Sequence, residues 1–447
     1  MKTNTTSKIA IAIPTYNAAD YIRECLESVC GQTLQELEIF IVDAYSDDGT
    51  REIVAEYASR DERIRLIDDT ERSTGYAKNI VIDLATAPFY AIVEPDDYIE
   101  KDMLELLYVT ATKNNLDVVK CGYDTFIDEN GCRFFFPKNV ANGMDAYNKV
   151  VKPSVNIEAY RWAMYEWLGL YRISFLKKNK IRHNETKGAA FQDIGFWFLG
   201  FAYAERVMLI KNIGYHYRID NPNASVNNTR KIFNTCNEYE FIKNRLYPEK
   251  ELWKKIKFAF WREYLHSNLT AYKGIDTSLR HKLSSKMHDD VCLAYEKGEI
   301  DIGYFNSKEQ HALYVLLNSY NQFDKDYDKR VREIASSVKE LECKIKDRAV
   351  VIYGAGFCGA NIQYILRQKG IKITAWADND EYKQGAKLNG VVVLPPQKCA
   401  EKYTDAVWLV ANYHVADKMK EDLLQNHEID AERIILCDVE LLRERLL

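Results

Sequence analysis

The sequence predicts an α/β protein with two doubly wound sheets separated by a helical segment. Strand and helix patterns alternate over the first 110 residues and again from Arg348 onward. Between about residues 231 and 345 the pattern is helical, with long charged stretches. Alternation of this kind favours parallel sheets with helices on both faces. We therefore predict domains at 1–230 and 346–447, joined by a helical segment at 231–345.

Composition limits the classes of function. A chain of 447 residues has room for two or three domains. Its 61 basic and 66 acidic side chains give a net charge of −5, which argues against a nucleic-acid partner. The ten cysteines never form a C-x-x-C pair, so we predict reduced thiols in a cytoplasmic protein. The longest apolar run, 194–204, is too short to span a bilayer, and residues 1–7 lack the apolar core of a signal peptide.

The predicted strands of the first domain end at polar residues. Strands are predicted at 9–13, 38–42, 64–67 and 89–93, and helices at 21–30, 51–58 and 77–85. The first, second and fourth strands are followed by Asn17, by Asp43 and by the segment that contains Asp96. Ligands of parallel α/β sheets bind at the carboxyl ends of the strands. These side chains are therefore expected to converge on one site.

Three carboxylates lie within four positions, at Glu94, Asp96 and Asp97. Carboxylates this close repel one another unless a cation lies between them. Hard oxygen ligands suit Mn²⁺ or Mg²⁺, and such an ion commonly completes its shell with substrate phosphates. The segment predicts a metal-assisted site for a phosphorylated ligand, with a solvated acidic loop as the alternative.

In the helical segment, apolar residues recur every four positions from Leu252 to Tyr264 among several lysines. This pattern is typical of a basic helix on an anionic membrane surface, or of a helix packed on its own protein, which is the commoner case. The first alternative predicts peripheral contact with the inner face of the membrane. Residues 327–345 contain a short heptad seam, which also allows a homo-oligomer.

The last domain contains a glycine-rich turn. Strands are predicted at 349–353, 371–376, 391–394, 407–411 and 434–436. Gly354, Gly356 and Gly359 follow the first of them in the G-x-G-x-x-G spacing, and Asp378 lies 24 residues after the first glycine. This is the pattern of an NAD-binding fingerprint. The same glycines serve tight turning and helix packing in any such domain, so nucleotide binding and a structural or docking role both stay open.

Four motifs, in order, resemble the family 2 glycosyltransferases of the GT-A fold, and the resemblance extends to about residue 229. They are Ile-Pro-Thr-Tyr-Asn at 13–17, the acidic stretch 41–50, Gly-Tyr-Ala-Lys-Asn at 75–79 and Glu-Pro-Asp-Asp at 94–97. The resemblance implies a metal-dependent, inverting transfer of a sugar from a nucleotide-diphosphate donor, with UDP as the expected nucleotide. The implied acceptor is a surface polysaccharide or a lipid-linked saccharide. The final domain resembles Rossmann-like modules appended to bacterial polysaccharide-biosynthesis proteins.

Site residues follow from the same resemblance. The implied donor-binding residues are Pro14, Thr15, Asn17, Asp43, Lys78, Glu94, Asp96 and Arg218. The implied metal ligands are Asp96, Asp97 and His216, although a histidine between tyrosines is more often a hydrogen-bonded core residue. Asp193 matches the catalytic base of the family, and Gln192 beside it removes one negative charge, which favours a lower pKa. Taken singly, Asp43 and Lys78 could equally be a helix cap and a surface charge.

Two other functions compete with the transferase. A bifunctional enzyme would use NAD in the last domain to modify a sugar. A non-catalytic saccharide-binding scaffold would explain the departures from the family pattern at Ala44, Glu94 and Gln192. The presence of Asp96, Asp97 and Asp193 argues against the scaffold.

Overall fold

The computed structural model describes residues 6–129, 131–138, 140–141, 146–163, 165–189, 191–224, 232–412 and 415–437, without the side chains of residues 334 and 357. The chain divides into two compact units. The first comprises Met1–Tyr123 with Asn139–Asp324, and the second comprises Asp124–Lys138 with Lys325–Leu447. The predicted boundary at 230/231 lies outside the described residues, and the three-domain division stays a prediction.

The strands of the N-terminal sheet are β1 Ile9–Thr15, β2 Leu37–Asp43, β3 Ile64–Asp68, β4 Phe89–Ile92, β5 Tyr98–Ile99, β6 Val118–Glu129, β7 Cys132–Pro137, β8 Gly169–Arg172 and β9 Val207–Arg218. Their order is β3-β2-β1-β4-β8-β6-β9-β5, with β7 paired to β6. Strands β1 to β4 are parallel, and β8 runs antiparallel to both β4 and β6. Thr15 and Asp43 are partners in the register of β1 and β2, so these two strands end side by side.

The helices of the first unit are α1 Ile22–Cys30, α2 Thr50–Ala58, α3 Thr74–Leu84, α4 Met103–Lys113, α5 Ile173–Lys178, α6 Gln192–Tyr203, α7 Asn234–Leu246, α8 Lys250–Gly274, α9 Thr277–Glu296 and α10 Ser307–Asn318. The three predicted helices of the first 110 residues are confirmed to within about three residues at each end. Residues 9–13 of β1 are fully buried, because a parallel strand covered on both faces needs an unbroken apolar run.

The second unit contains α11 Tyr320–Ile345 from Lys325 onward, and α12 Phe357–Gln368, α13 Pro396–Lys402 and α14 Ala416–Gln425. Its separate sheet consists of β10 Val350–Tyr353, β11 Ala375–Ala377, β12 Lys387–Leu388, β13 Val391–Leu394, β14 Val407–Val410 and β15 Ile434–Leu436, in the order β12-β13-β11-β10-β14-β15. The pairs are parallel except for β12 with β13. This is a mixed α/β unit, and its place in the Rossmann-like class stays a prediction.

Alternate residues of β10 enter two different cores. Val350 and Ile352 pack with Trp376 on one side, whereas Val351 and Tyr353 pack in a second cluster. Side chains of a strand alternate between the two faces of a sheet, so both faces of this small sheet are covered.

A hairpin from the first third of the chain belongs to the second unit. Arg367 on α12 lies 3.5 Å from the ring centroid of Phe134 on β7, and the rings of Phe136 and Tyr364 meet edge to face at 5.3 Å. The side-chain oxygen of Asn389 accepts the backbone N–H of Phe135 at 2.7 Å. Nothing in the sequence pattern indicated this long-range association.

The heptad seam of α11 packs within its own unit. Val338, Leu341 and Ile345 are buried in the core that covers one side of the C-terminal sheet. On α8, Ile256, Phe260 and Tyr264 are likewise buried. In the part of the chain that the structure describes, no helix has both the length and the apolarity needed to cross a bilayer. Membrane contact and self-association stay predictions.

Candidate active site

The acidic segment, residues 94–97 after β4, is hydrogen-bonded to β9 through Asp97. Its Oδ1 accepts the backbone N–H of Arg218 at 2.7 Å, and its Oδ2 accepts the hydroxyl of Tyr215 at 2.8 Å. The same hydroxyl oxygen accepts the backbone N–H of Glu94 at 3.0 Å. Burial, with the charge of Asp96, raises the pKa of Asp97 well above its ordinary value. Asp97 is the buried anchor of the segment.

Asp96 occupies a more open position. Its Oδ2 accepts the side-chain amide of Asn221 at 2.8 Å, and its backbone oxygen accepts Nε of Arg218 at 3.0 Å. Burial raises the pKa of Asp96. Arg218 also reaches Glu24, with its Nη2 at 2.8 Å from the carboxylate. The guanidinium group of Arg218 therefore holds the backbone of the acidic segment in place.

Lys78 lies between two carboxylates. Its Nζ is 2.8 Å from Oε1 of Glu94 and also contacts Oε1 of Glu166. Burial alone would lower the pKa of Lys78, but the charges of Glu166 and Glu94 raise it. Lys78 is therefore charged, and in this structure its charge is directed at Glu94 and Glu166.

Glu166 is a site residue that the sequence analysis did not identify. It is fully buried, and its second carboxylate oxygen contacts Nε2 of His183. Burial alone would raise the pKa of Glu166, but the charge of Lys78 and the contact with His183 lower it to about 2. A glutamate inside the apolar run before Trp167 was a usable signal, because a buried carboxylate requires a partner.

The segment that carries His183 is held against α3. The side-chain amide of Asn79 donates to the backbone oxygen of His183 at 3.0 Å, and its oxygen accepts the backbone N–H of His183 at 2.9 Å. A side chain at Gly75 would place Cβ 2.0 Å from the backbone oxygen of Asn184. The ring of His183 stacks on Phe196 of α6 at 4.0 Å, and burial lowers the pKa of His183. Glycine at position 75 is required by this close approach.

Asp193 lies in the first turn of α6 and is half-buried. Burial, with the negative charge of Glu166, raises its pKa to about 7. The lower pKa expected from Gln192 is outweighed, because desolvation acts on Asp193 directly while the amide of Gln192 donates to the backbone oxygen of Gly188 at 2.9 Å. Phe191, which precedes the helix, has a backbone φ of +65°, which residues other than glycine rarely adopt. Such strain is most often retained near functional residues.

The ends of β1 and β2 meet at Asp43, which is fully buried. Its Oδ1 accepts the hydroxyls of Thr15 at 3.1 Å and Ser46 at 2.6 Å, and its Oδ2 is 2.8 Å from Nη1 of Arg51. Pro14 precedes Thr15 within β1. The carboxylate of Asp43 is thus oriented by three side chains, rather than being free in solvent.

Two predicted residues make local contacts. Asn17 is exposed with φ +49°, and its side chain exchanges hydrogen bonds with Asp47, both at 3.1 Å. His216 stacks on Tyr98 at 4.3 Å, and its Nε2 lies 3.0 Å from Oε1 of Glu100. His216 therefore has a hydrogen-bonded position in the β5–β9 pair, and its role as a metal ligand stays a prediction.

The acidic segment suits a hard cation by its donor set. Asp96 and Asp97 offer only oxygen atoms, and a carboxylate has about four lone-pair sites. The carboxylate of Asp96 accepts one hydrogen bond from a side chain, and that of Asp97 accepts two hydrogen bonds from the protein. Among the described residues, no group of three or more histidine, cysteine, aspartate or glutamate side chains is arranged to hold a metal ion by itself. The remaining ligands of a cation bound by these two carboxylates would come from substrate phosphates and water.

The glycine-rich turn of the second unit is built from different constraints. Gly354 has φ +112°, and a Cβ on Gly359 would lie 2.1 Å from the backbone oxygen of Gly354. A Cβ on Gly356 would meet nothing within 4 Å. Asp378 accepts the backbone N–H of Ala355 at 2.8 Å and pairs with Lys383 at 3.0 Å. Asp378 thus stabilises the turn itself, and nucleotide binding stays a prediction.

Comparison with known proteins identifies a family for part of the first unit. Residues 10–192 match the family described as Glycosyl transferase family 2. The chain contains a family 2 glycosyltransferase domain. The matched range includes the acidic segment, Lys78 and Glu166, and it ends one residue before Asp193. Residues 346–435 match a second family, described as C2185-like, N-terminal.

Bacterial relatives share the glycosyltransferase domain. The chain is 31% identical over 217 residues to the uncharacterized glycosyltransferase EpsJ of Bacillus subtilis, covering 48% of this chain and 62% of EpsJ. It is 31% identical over 224 residues to the uncharacterized glycosyltransferase YibD of Escherichia coli, covering 50% of this chain and 64% of YibD. The chain therefore spans less than two thirds of the length of either relative.

A solved structure shows the same fold. Residues 1–349 of S. aureus TarS superpose with a TM-score of 0.55 at 19% identity, over 72% of this chain and 91% of that chain. Structures of the same TarS fragment in complex with UDP and with UDP-GlcNAc superpose with a TM-score of 0.54. At this level of identity the similarity to TarS shows the fold alone.

Proposed function

We propose that this protein transfers a sugar from a UDP-sugar to a hydroxyl group of a saccharide acceptor, with inversion at the anomeric carbon and Asp193 as the catalytic base. The position and pKa of Asp193 carry the proposal. A carboxylate with a pKa of about 7 at the start of α6 is within electrostatic reach of Glu94 in the acidic segment. A general base works best when its pKa lies near the operating pH.

Asp193 performs one proton transfer in this reaction. The acceptor oxygen forms a bond to the anomeric carbon of the donor while the bond from that carbon to the diphosphate oxygen breaks. The proton of the acceptor hydroxyl passes to the carboxylate of Asp193, and the nucleoside diphosphate leaves with the bonding electron pair. Attack from the face opposite the leaving group inverts the anomeric configuration.

The donor side is assigned to the carboxyl ends of β1, β2 and β4. Thr15, Asn17 and Asp43, with Pro14 in β1 beside them, would hold the nucleoside, and Arg218 would face the diphosphate. Lys78 would act through Glu94, because its Nζ already contacts that carboxylate. Mn²⁺ or Mg²⁺, held by Asp96 and Asp97, would stabilise the charge that develops on the leaving diphosphate. His216 stays a proposed metal ligand, and its Nε2 would exchange the contact with Glu100 for the cation.

UDP is supported as the nucleotide by the complexes of TarS with UDP and UDP-GlcNAc. The proposed acceptor is a surface polysaccharide or a lipid-linked saccharide, the class that the resemblance of the four motifs implies. We also propose a cytoplasmic location, with peripheral contact at the inner face of the membrane as the alternative that the basic helix pattern allows.

The test is a donor panel. The full-length protein is incubated with UDP-glucose, UDP-galactose, UDP-GlcNAc and GDP-mannose, with Mn²⁺ or with EDTA, and release of the nucleoside diphosphate is measured. We expect metal-dependent hydrolysis of at least one UDP-sugar and its loss in EDTA. Folded protein that neither binds nor hydrolyses any donor would refute the proposal and favour the scaffold alternative.

A further inference from the structure

Four aromatic rings are gathered beside the acidic segment. The rings of Tyr165 and Trp167 stack with centroids 4.8 Å apart and planes 14° from parallel. Trp167 also stacks on Tyr217, at 5.4 Å and 3°, and on Tyr215, at 4.2 Å and 29°. Trp167 is 5% exposed, whereas Tyr165 is 36% exposed. The group, called the aromatic platform below, is therefore buried at its centre and open to solvent at Tyr165.

The aromatic platform is attached to the proposed catalytic site by hydrogen bonds. The hydroxyl of Tyr215 donates to Asp97 and accepts the backbone N–H of Glu94. Between Tyr165 and Trp167 in the sequence lies Glu166, which contacts Lys78. The rings are consequently fixed relative to the acidic segment, so a ligand lying on Tyr165 would have a defined position relative to that segment.

Burial in the core accounts for Trp167 and Tyr215 but not for the exposure of Tyr165. A large aromatic side chain at the surface, supported from behind by a parallel indole ring, presents a flat apolar face that loses little conformational entropy when a ligand binds. The C–H groups on one face of a pyranose ring form a flat apolar surface of similar size, which can stack on the exposed ring of Tyr165.

We propose that Tyr165 of the aromatic platform stacks against a pyranose ring of the acceptor saccharide and so determines the class of acceptor. This inference rests on the proposed transferase function and adds a binding position for the acceptor. Acceptors with one flat C–H face, such as β-linked gluco- and galacto-configured pyranoses, would be favoured over ribitol-type chains without a ring.

The probes are lactose, cellobiose and N,N′-diacetylchitobiose, each added to the full-length protein with saturating UDP and Mn²⁺. Saturation-transfer-difference NMR reports which sugar protons touch the protein. We expect saturation transfer to the C–H protons of one pyranose face. Tyr165→Ala should raise the dissociation constant of the saccharide by about three- to tenfold, the range typical of a single stacked aromatic pair. Tyr165→Phe should retain wild-type affinity, since stacking uses the ring.

Tyr314→Ala is the matched control, because Tyr314 is 70% exposed on α10 and should leave saccharide binding unchanged. The inference is overturned if no probe binds the wild-type protein, or if Tyr165→Ala binds as tightly as the wild type. It is also overturned if the saturation transfer that depends on Tyr165 goes to the uracil protons of UDP. Donor hydrolysis by the wild-type protein distinguishes failure of the transferase proposal from failure of the Tyr165 proposal. Absence of hydrolysis would refute the transferase proposal and would not depend on Tyr165.

Discussion

The ammonium group of Lys78 lies 2.8 Å from a carboxylate oxygen of Glu94, which begins the acidic segment. This contact joins α3 to the end of β4, and Glu166 completes the arrangement on the other side of Lys78. Two carboxylates and one ammonium group give this buried cluster a net negative charge. Removing any one of them leaves the others with fewer charged partners.

Glu166→Gln should destabilise the protein. The substitution leaves Lys78 with a single carboxylate and removes the charge that faces His183, and breaking a buried ion pair costs roughly 3–5 kcal/mol. We expect a loss near the lower end of that range in urea unfolding at pH 7, because Glu94 still pairs with Lys78. Glu205→Gln is the control, since the side chain of Glu205 is 67% exposed and its pair with Lys152 should contribute less than about 1 kcal/mol.

The stability difference should depend on pH with a defined sign. The folded state lowers the pKa of Glu166 to about 2, so its contribution is present above the ordinary glutamate pKa and is lost as the pH falls toward 2. The difference between wild type and Glu166→Gln should therefore persist from pH 7 to about pH 5 and decrease below it. A constant difference down to pH 2 would contradict the charged pair.

Transfer should require the ionised form of Asp193. Because its pKa is raised to about 7, the turnover rate at saturating donor should rise as the pH increases through 7 and reach a plateau above about pH 8. The measurement is a pH–rate profile of kcat. A profile that is flat from pH 5 to 9 would remove Asp193 from the role of base.

Asp193→Asn tests the same residue by substitution. Asparagine preserves the shape of the side chain and cannot accept the proton, so transfer should fall by about 10²–10⁴-fold. UDP binding, measured by calorimetry, should be largely retained because Asp193 does not belong to the donor strands. An equal loss of donor binding would assign Asp193 to the donor site instead.

Tyr215→Phe should loosen the acidic segment. The variant removes the donor to Asp97 Oδ2 and the acceptor of the Glu94 N–H, leaving both groups buried without that partner. We expect a loss of about 2 kcal/mol in urea unfolding, together with weaker binding of UDP and Mn²⁺. Tyr314→Phe should change neither quantity, because Tyr314 is 70% exposed. Wild-type stability of Tyr215→Phe would show that its hydroxyl does not hold the segment.

The glycines of the second unit should respond differently to alanine. In Gly359→Ala the new Cβ would lie 2.1 Å from the backbone oxygen of Gly354 and 2.7 Å from Trp376, so we expect a loss of at least about 1–3 kcal/mol. Gly356→Ala introduces no contact within 4 Å and should unfold as the wild type does. Equal stability of the two variants would contradict the packing role of Gly359. Loss of nucleotide binding in Gly356→Ala alone would support a site in this unit.

Strands β1 to β4, helices α1 to α3 and most strands of the C-terminal sheet were readable from the sequence, because unbroken apolar runs such as 9–13 and polar residues at strand ends are local signals. Strands β5 to β9, which include the antiparallel β8, were not predicted. The acidic segment, Lys78 and Asp193 were identified in the same way, by their motifs. Glu166 was not, since its role depends on contacts with Lys78 and His183 at separations of 88 and 17 residues. The sequence pattern likewise did not predict that the 124–138 hairpin belongs to the second unit.

The sequence by itself determined which residue types meet at the ends of parallel strands, since strand direction and side-chain alternation follow from the local pattern. Only the tertiary structure decided how their charges are used. Lys78 faces Glu94 and Glu166, His216 faces Glu100, and Asp193 has a raised pKa despite the neutral Gln192 beside it. The reason is physical: desolvation and pairing depend on which groups surround a charge in space, and those groups come from distant parts of the chain.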